Sequence, residues 1–157
     1  MVQEEAKGVP GILRPFKEYI ESRSAPAGSE IVFCGVPGTC TPFVELLCFA
    51  IRSLPCRCIF VPYTDLTRAR VLEMRPDTGF QAGDGVVVQN PDVVVIMGGL
   101  AMPGMPVTSE DVRNLLARWN ASPVGICFMH MFQKAGWLDT ISFDLLIDAD
   151  ISVEITR

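Results

Sequence analysis

Apolar residues in this chain follow two rhythms. Four short runs, Ile31–Gly35, Cys58–Val61, Val93–Met97 and Val124–Phe128, are apolar almost without interruption. Each is too short for a helix and lacks the alternation of a strand with one wet face. Each therefore predicts a parallel strand buried on both sides. Between them the spacing turns helical. Val9, Ile12, Leu13, Phe16, Tyr19 and Ile20 fall on one face, and Pro15, which suits a first turn, places a helix at about Arg14 to Arg23. Thr41 is a capping residue with Pro42 at the first helical position, for a helix running to about Ser53. Thr108 and Asp111 form a capping-box start for a helix reaching Trp119, whose apolar face is Val112, Leu115, Leu116 and Trp119.

The remaining segments carry weaker patterns. Asp65 or Thr67 starts a short helix through Arg70 to Met74, Pro76 to Asp84 reads as loop, and Gly85–Val88 reads as a minor strand. Phe132–Trp137 makes a short turn of helix, and Phe143–Ile147 and Ile151–Thr156 read as closing strands. Strands alternating with helices over 157 residues, with no repeat or linker, predict a single α/β domain spanning residues 1–157. The expected architecture is a three-layer Rossmann-like, flavodoxin-like sandwich with a mostly parallel sheet of five or six strands. Its order is 2-1-3-4-5, which sets the first and third strands side by side where the chain changes direction.

Composition narrows the function classes. Hydrophobic residues make up 49% and charged residues 20%, enough to bury a real core, and the formal charge is −5. The arginines at 68, 70 and 75 are scattered rather than gathered into a basic stripe, so no nucleic-acid partner is expected. No apolar run is long enough to span a membrane, and the stretch from Met1 to Lys7 is polar and acidic. A cytoplasmic protein is expected, with its six cysteines reduced.

Candidate chemistry lies in the loops that leave the apolar strands. The loop from Gly35 to Thr41 has Gly35 and Gly38 to free the backbone. Thr39, Cys40, Thr41 and the first helical amides there could hold an anion, although no P-loop or dinucleotide pattern is present. The loop after the third strand opens with Gly98-Gly99 and continues through Met102-Pro103-Gly104-Met105-Pro106, a rigid apolar stretch that suits a pocket lid or a subunit contact. The fourth strand ends at Cys127, three residues before the lone histidine, His130. The cysteines lack the loop-borne Cys-x2-Cys spacing of structural metal sites, and Asp144, Asp148 and Asp150 read as turn and edge residues, so no metal site is expected. No cofactor is indicated.

Gly98-Gly99 together with Pro123-Val124-Gly125-Ile126-Cys127 resembles class I glutamine amidotransferase and DJ-1-like flavodoxin-type domains. That resemblance implies Gly-Gly oxyanion amides and a nucleophilic cysteine at a strand-to-helix turn. Met129 stands where the elbow wants a small residue, and no later histidine supplies a base, leaving His130. Over nearly its full length the chain also resembles an uncharacterised family of small proteins from methanogenic archaea. The resemblance is carried by Phe33–Phe43, Met97–Pro103, Gly125–Met129 with Lys134–Trp137, and Ile147–Asp150. This second resemblance implies a Rossmann-like fold in an archaeal cytosol and brings no activity. The reading that follows is a small-molecule module binding an anionic or nucleotide-like ligand through Gly35, Gly38, Thr39, Cys40, Thr41, Gly98, Gly99 and Met102. The alternatives are a hydrolase or amidotransferase-like enzyme using Cys127 and His130, and a structural or homo-oligomeric assembly subunit.

Overall fold

The computed structural model describes residues 2–157; Met1, first residue of the polar opening stretch, lies outside them. Seven strands form one sheet: β1 (Glu30–Gly35), β2 (Arg57–Pro62), β3 (Arg70–Arg75), β4 (Gly79–Gly85), β5 (Pro91–Met97), β6 (Ser122–Phe128) and β7 (Leu145–Ala149). They lie in the order β4-β3-β2-β1-β5-β6-β7. β2, β1, β5, β6 and β7 run parallel, in the expected order, and β3 and β4 extend the sheet antiparallel beyond β2. All six residues of β1 are buried, as an uninterrupted apolar run requires of the strand at the middle of a sheet covered on both faces.

Among the described residues four α-helices accompany the sheet: α1 (Gly8–Ser22), α2 (Thr41–Ala50), α3 (Ser109–Leu116) and α4 (Met131–Lys134). α1 begins six residues earlier than Pro15 suggested, so the proline stands inside the helix. Phe16 and Ile20 bury its inner face. Two polar links pin the same helix. Arg23 grips Asp92 with two parallel bonds, Nε to Oδ2 at 2.9 Å and Nη2 to Oδ1 at 2.8 Å. Tyr19 meets Ser122, whose hydroxyl donates to Asp144 Oδ2 at 2.5 Å. α2 stops at Ala50, short of Ser53, and its N-cap position is Cys40 rather than Thr41. Thr41 Oγ1 instead accepts the Gly38 N–H at 3.0 Å, closing the turn. The capping box of α3 forms as expected: Asp111 N–H donates to Thr108 Oγ1 and Thr108 N–H to Asp111 Oδ2. The helical turn expected at Phe132–Trp137 is split between α4 and a 3-10 turn at Trp137–Asp139.

The segment from residue 65 to 88 departs most from expectation. The expected helix is only a 3-10 turn at Leu66–Arg68, the expected loop is largely β4, and the expected minor strand at Gly85–Val88 does not form. Arg70–Arg75 buries only Leu72, with its neighbours half or fully exposed, and Pro76-Asp77-Thr78 turns it back. Gly79 follows at φ +80, the left-handed residue that a three-residue hairpin loop needs. Ile151–Thr156 has strand chemistry but forms no strand among the described residues. The last strand is β7, two residues later than expected, and the sheet has seven strands rather than five or six.

Glu30, at the start of β1, is buried and charged. Its Oε1 accepts the N–H groups of Gln89 and Asn90, both at 2.9 Å, and so fixes the chain where it enters β5. Among the described residues no helix is long and apolar enough to cross a membrane.

Candidate functional site

The parallel strands release their loops at one end of the sheet. At the centre of that end β1 leads into α2 on the β2 side, while β5 leads through a 3-10 turn (Gly98–Ala101) toward α3 and β6. The two exits meet. A Cβ placed on Gly99 would stand 2.5 Å from Cys40 Sγ, 3.7 Å from Val36 and 3.8 Å from the end of Met102. A Cβ on Gly35 would stand 2.7 Å from Cys40 Cβ. Gly35, Cys40, Gly99 and Met102 therefore form one contact cluster. On its far side a Cβ on Gly98 would reach 2.4 Å from the Cys127 Cβ. The paired glycines are required because the 3-10 turn is wedged between two cysteine-bearing segments with no room for side chains.

The floor of this meeting point is filled by its own residues. Val36, Cys40, Leu100 and Ala101 are all buried, Cys40 to 4% exposure. Gly38, at φ +82, and Thr39 stand exposed above it, with Thr41, Gly99 and Met102 half-exposed at the margin. The helix start offers few free donors. Cys40 N–H is taken by Val36 O, Phe43 and Val44 N–H both donate to Cys40 O, and Pro42 has no N–H. Burial raises the Cys40 thiol above its ordinary value, and the amides of Val36 and Gly99 oppose that rise.

Around the rim the backbone is strained. Among the described residues the four non-glycine residues with left-handed φ are Ser24, Tyr63, Met129 and His130, and the last three follow β2 and β6. Tyr63 N–H donates to Gly35 O at 2.9 Å, and Met129 N–H to Ala149 O at 2.9 Å, so each bend is stitched to the neighbouring strand end. Such conformations persist only where their surroundings over-determine them.

Cys127 and His130 do not form a pair. The parallel register of β6 on β7 sets Cys127 beside Asp148. His130 turns toward the same carboxylate: Nδ1 lies 2.7 Å from Asp148 Oδ2, His130 N–H donates to Asp148 Oδ1 at 3.0 Å, and Nε2 lies 3.6 Å from Asp150 Oδ1. Both ring nitrogens face carboxylates. Cys127 is only 1% exposed, and burial, with the Asp148 carboxylate adding to it, pushes its thiol up to about 12, against the pull of the Phe132 and Met131 amides. That environment favours an inert thiol over a thiolate. Asp148 is the partner that sequence reasoning missed; its only signal was an Asp-x-Asp at the end of the last strand. Cys58 neighbours both Cys48 and Cys56. Among the described residues no three His, Cys, Asp or Glu groups stand in a metal-holding arrangement.

Comparison with known proteins places this geometry in a family. An uncharacterized protein of Methanothermobacter thermautotrophicus is 37% identical over 157 residues, covering 98% of this chain and 97% of its own. The uncharacterized protein MJ1183 of Methanocaldococcus jannaschii is 36% identical, covering 97% and 91%. A crystal structure of a protein of unknown function from Methanothermobacter thermautotrophicus superposes with a TM-score of 0.88 at 36% identity, covering 100% of this chain and 97% of its own. With residues 7–152 matched, the chain belongs to the family of uncharacterized proteins conserved in archaea designated DUF2124.

Proposed function

We propose that this protein is a cytosolic small-molecule-binding module of flavodoxin-like, three-layer Rossmann-like architecture, with its ligand on the rim above Gly38–Thr41 and Gly99–Met102. The observation that carries this reading is the contact of Gly99 with Cys40, which joins the two glycine turns where the chain leaves β1 and β5 in opposite directions. Open α/β sheets hold ligands at that crossing. Because the floor is filled, the ligand lies along the exposed turn rather than inside a cavity. Exposed Gly38 and Thr39 meet its polar end, and half-exposed Met102, held in a loop stiffened by Pro103 and Pro106, meets its apolar body. A nucleotide-like molecule has both parts. The strained bends at Tyr63, Met129 and His130 ring the same end and support a functional surface there.

The hydrolase alternative has less support, since Cys127 is buried and His130 is occupied by Asp148. A thermal-shift screen of nucleotides, phosphates and acidic metabolites tests the binding reading, because a ligand at 100 times its Kd stabilises by about 2.7 kcal/mol. A rise in Tm that Met102→Glu abolishes supports it. A screen without any shift, or shifts that Met102→Glu leaves unchanged, counts against it.

A further inference from the structure

We propose that residues 151–155 pair antiparallel with the same residues of a second copy of this chain across a two-fold axis centred on Val153. Ile151, Val153 and Ile155 are 53%, 74% and 71% exposed, and they alternate with Ser152, Glu154 and Thr156. β-branched residues at period two are strand chemistry, and three of them exposed in a row present an unpaired strand face. The segment makes no ladder with its own sheet, although it continues directly from β7, the free parallel edge. An edge present in every copy suits an isologous, self-pairing contact.

The charges of the segment are compatible with its own copy as occupant, and they select the register. Directly opposite residues on antiparallel strands share a face, so apolar rows meet only when odd-numbered residues oppose odd-numbered ones. A pairing centred on Glu154 would set two carboxylates against each other, and one centred on Ser152 would set Asp150 against Glu154. Centred on Val153, Val153 faces Val153, Ile151 faces Ile155 and Glu154 faces Ser152, with no like charges opposed. The row also continues an existing apolar surface. Ile151 N–H donates to the sulfur of exposed Met129 at 3.3 Å, next to Phe128, whose ring packs 4.6 Å from that of Phe43.

Sedimentation velocity of the full chain over about 1–500 µM reads the prediction, because a ribbon this short gives a concentration-dependent dimer rather than an obligate one. Val153→Glu and Val153→Lys each weaken the dimer at least about tenfold by opposing like charges at the axis, while their Tm values, read as monomers, stay at that of the parent monomer. Mixing the two variants restores the dimer, since Glu then faces Lys. A chain monomeric throughout, a dimer that neither variant weakens, or a mixture that stays monomeric overturns the proposal.

Discussion

Gly99 stands against the sulfur of Cys40, so closely that a Cβ at position 99 would lie 2.5 Å from it. This contact locks the β1 and β5 exits together. Gly99→Ala therefore forces either the 3-10 turn or the start of α2 to move, at a cost of ~1–3 kcal/mol by the usual penalty for overpacking. Because the obstruction is a single side chain, Cys40→Ala in the same molecule recovers part of the loss, and denaturant melts of the two single variants and the double variant read the coupling. Additive losses would mean that the contact does not constrain the turn.

Gly98 meets backbone as well as side chain, with the Cys127 Cα 2.8 Å and Cβ 2.4 Å from its would-be Cβ. Trimming the cysteine to alanine leaves both of those atoms in place. Gly98→Ala is expected to destabilise more than Gly99→Ala, and Cys127→Ala does not rescue it. Equal effects in the same melts would show that β5 and β6 separate more easily at this end than their packing implies.

Cys34 and Cys127 are both buried, and burial pushes each thiol up to about 12 from an ordinary value of 9.0. The native state thus binds these protons more tightly than the unfolded chain does. Their contribution to stability is fully present below pH 9 and is lost as pH climbs from there toward 12. Denaturant midpoints should fall over that window, less steeply in Cys34→Ala relative to its own neutral-pH value. Iodoacetamide at pH 7 to 8 should leave Cys127 unmodified in the native protein and modify it in guanidinium. Selective native labelling of Cys127 would revive the hydrolase reading.

Asp148 accepts from both the ring and the backbone N–H of His130. Removing the carboxylate abandons two hydrogen-bond donors at a bend already in the left-handed region, whereas removing the imidazole abandons one hydrogen bond and the longer, exposed Nε2–Asp150 contact. Asp148→Ala should therefore cost more than His130→Ala, with a difference on the order of 1 kcal/mol for one hydrogen bond. Thermal melts near pH 6 to 7 decide the order, and its reversal would contradict the bracing role given to Asp148.

Much of the scaffold was legible because its signals are local. The apolar runs at Ile31, Cys58, Val93 and Val124 could be satisfied only by burial on both faces, and that fixes parallel pairing. Thr108 and Asp111 carried their own cap. The β3–β4 hairpin was not legible as such, since an edge hairpin half in water shows little alternation and Gly79 and Gly83 read as loop. The turn Pro76-Asp77-Thr78-Gly79 held the missing information. At the site, the convergence of the two glycine loops followed from strand order alone. The Asp148–His130 pair did not, because it depends on the register of β6 on β7, which neither segment specifies by itself.

The most direct test of the binding reading is a titration of the isotopically labelled protein with the strongest thermal-shift hit, followed through its backbone amide resonances. The account predicts saturable shifts concentrated at Gly38, Thr39, Thr41, Gly99 and Met102, with Cys127 and the β3–β4 hairpin unmoved. Shifts absent from those five amides, or centred instead on His130 and Asp148, would contradict it.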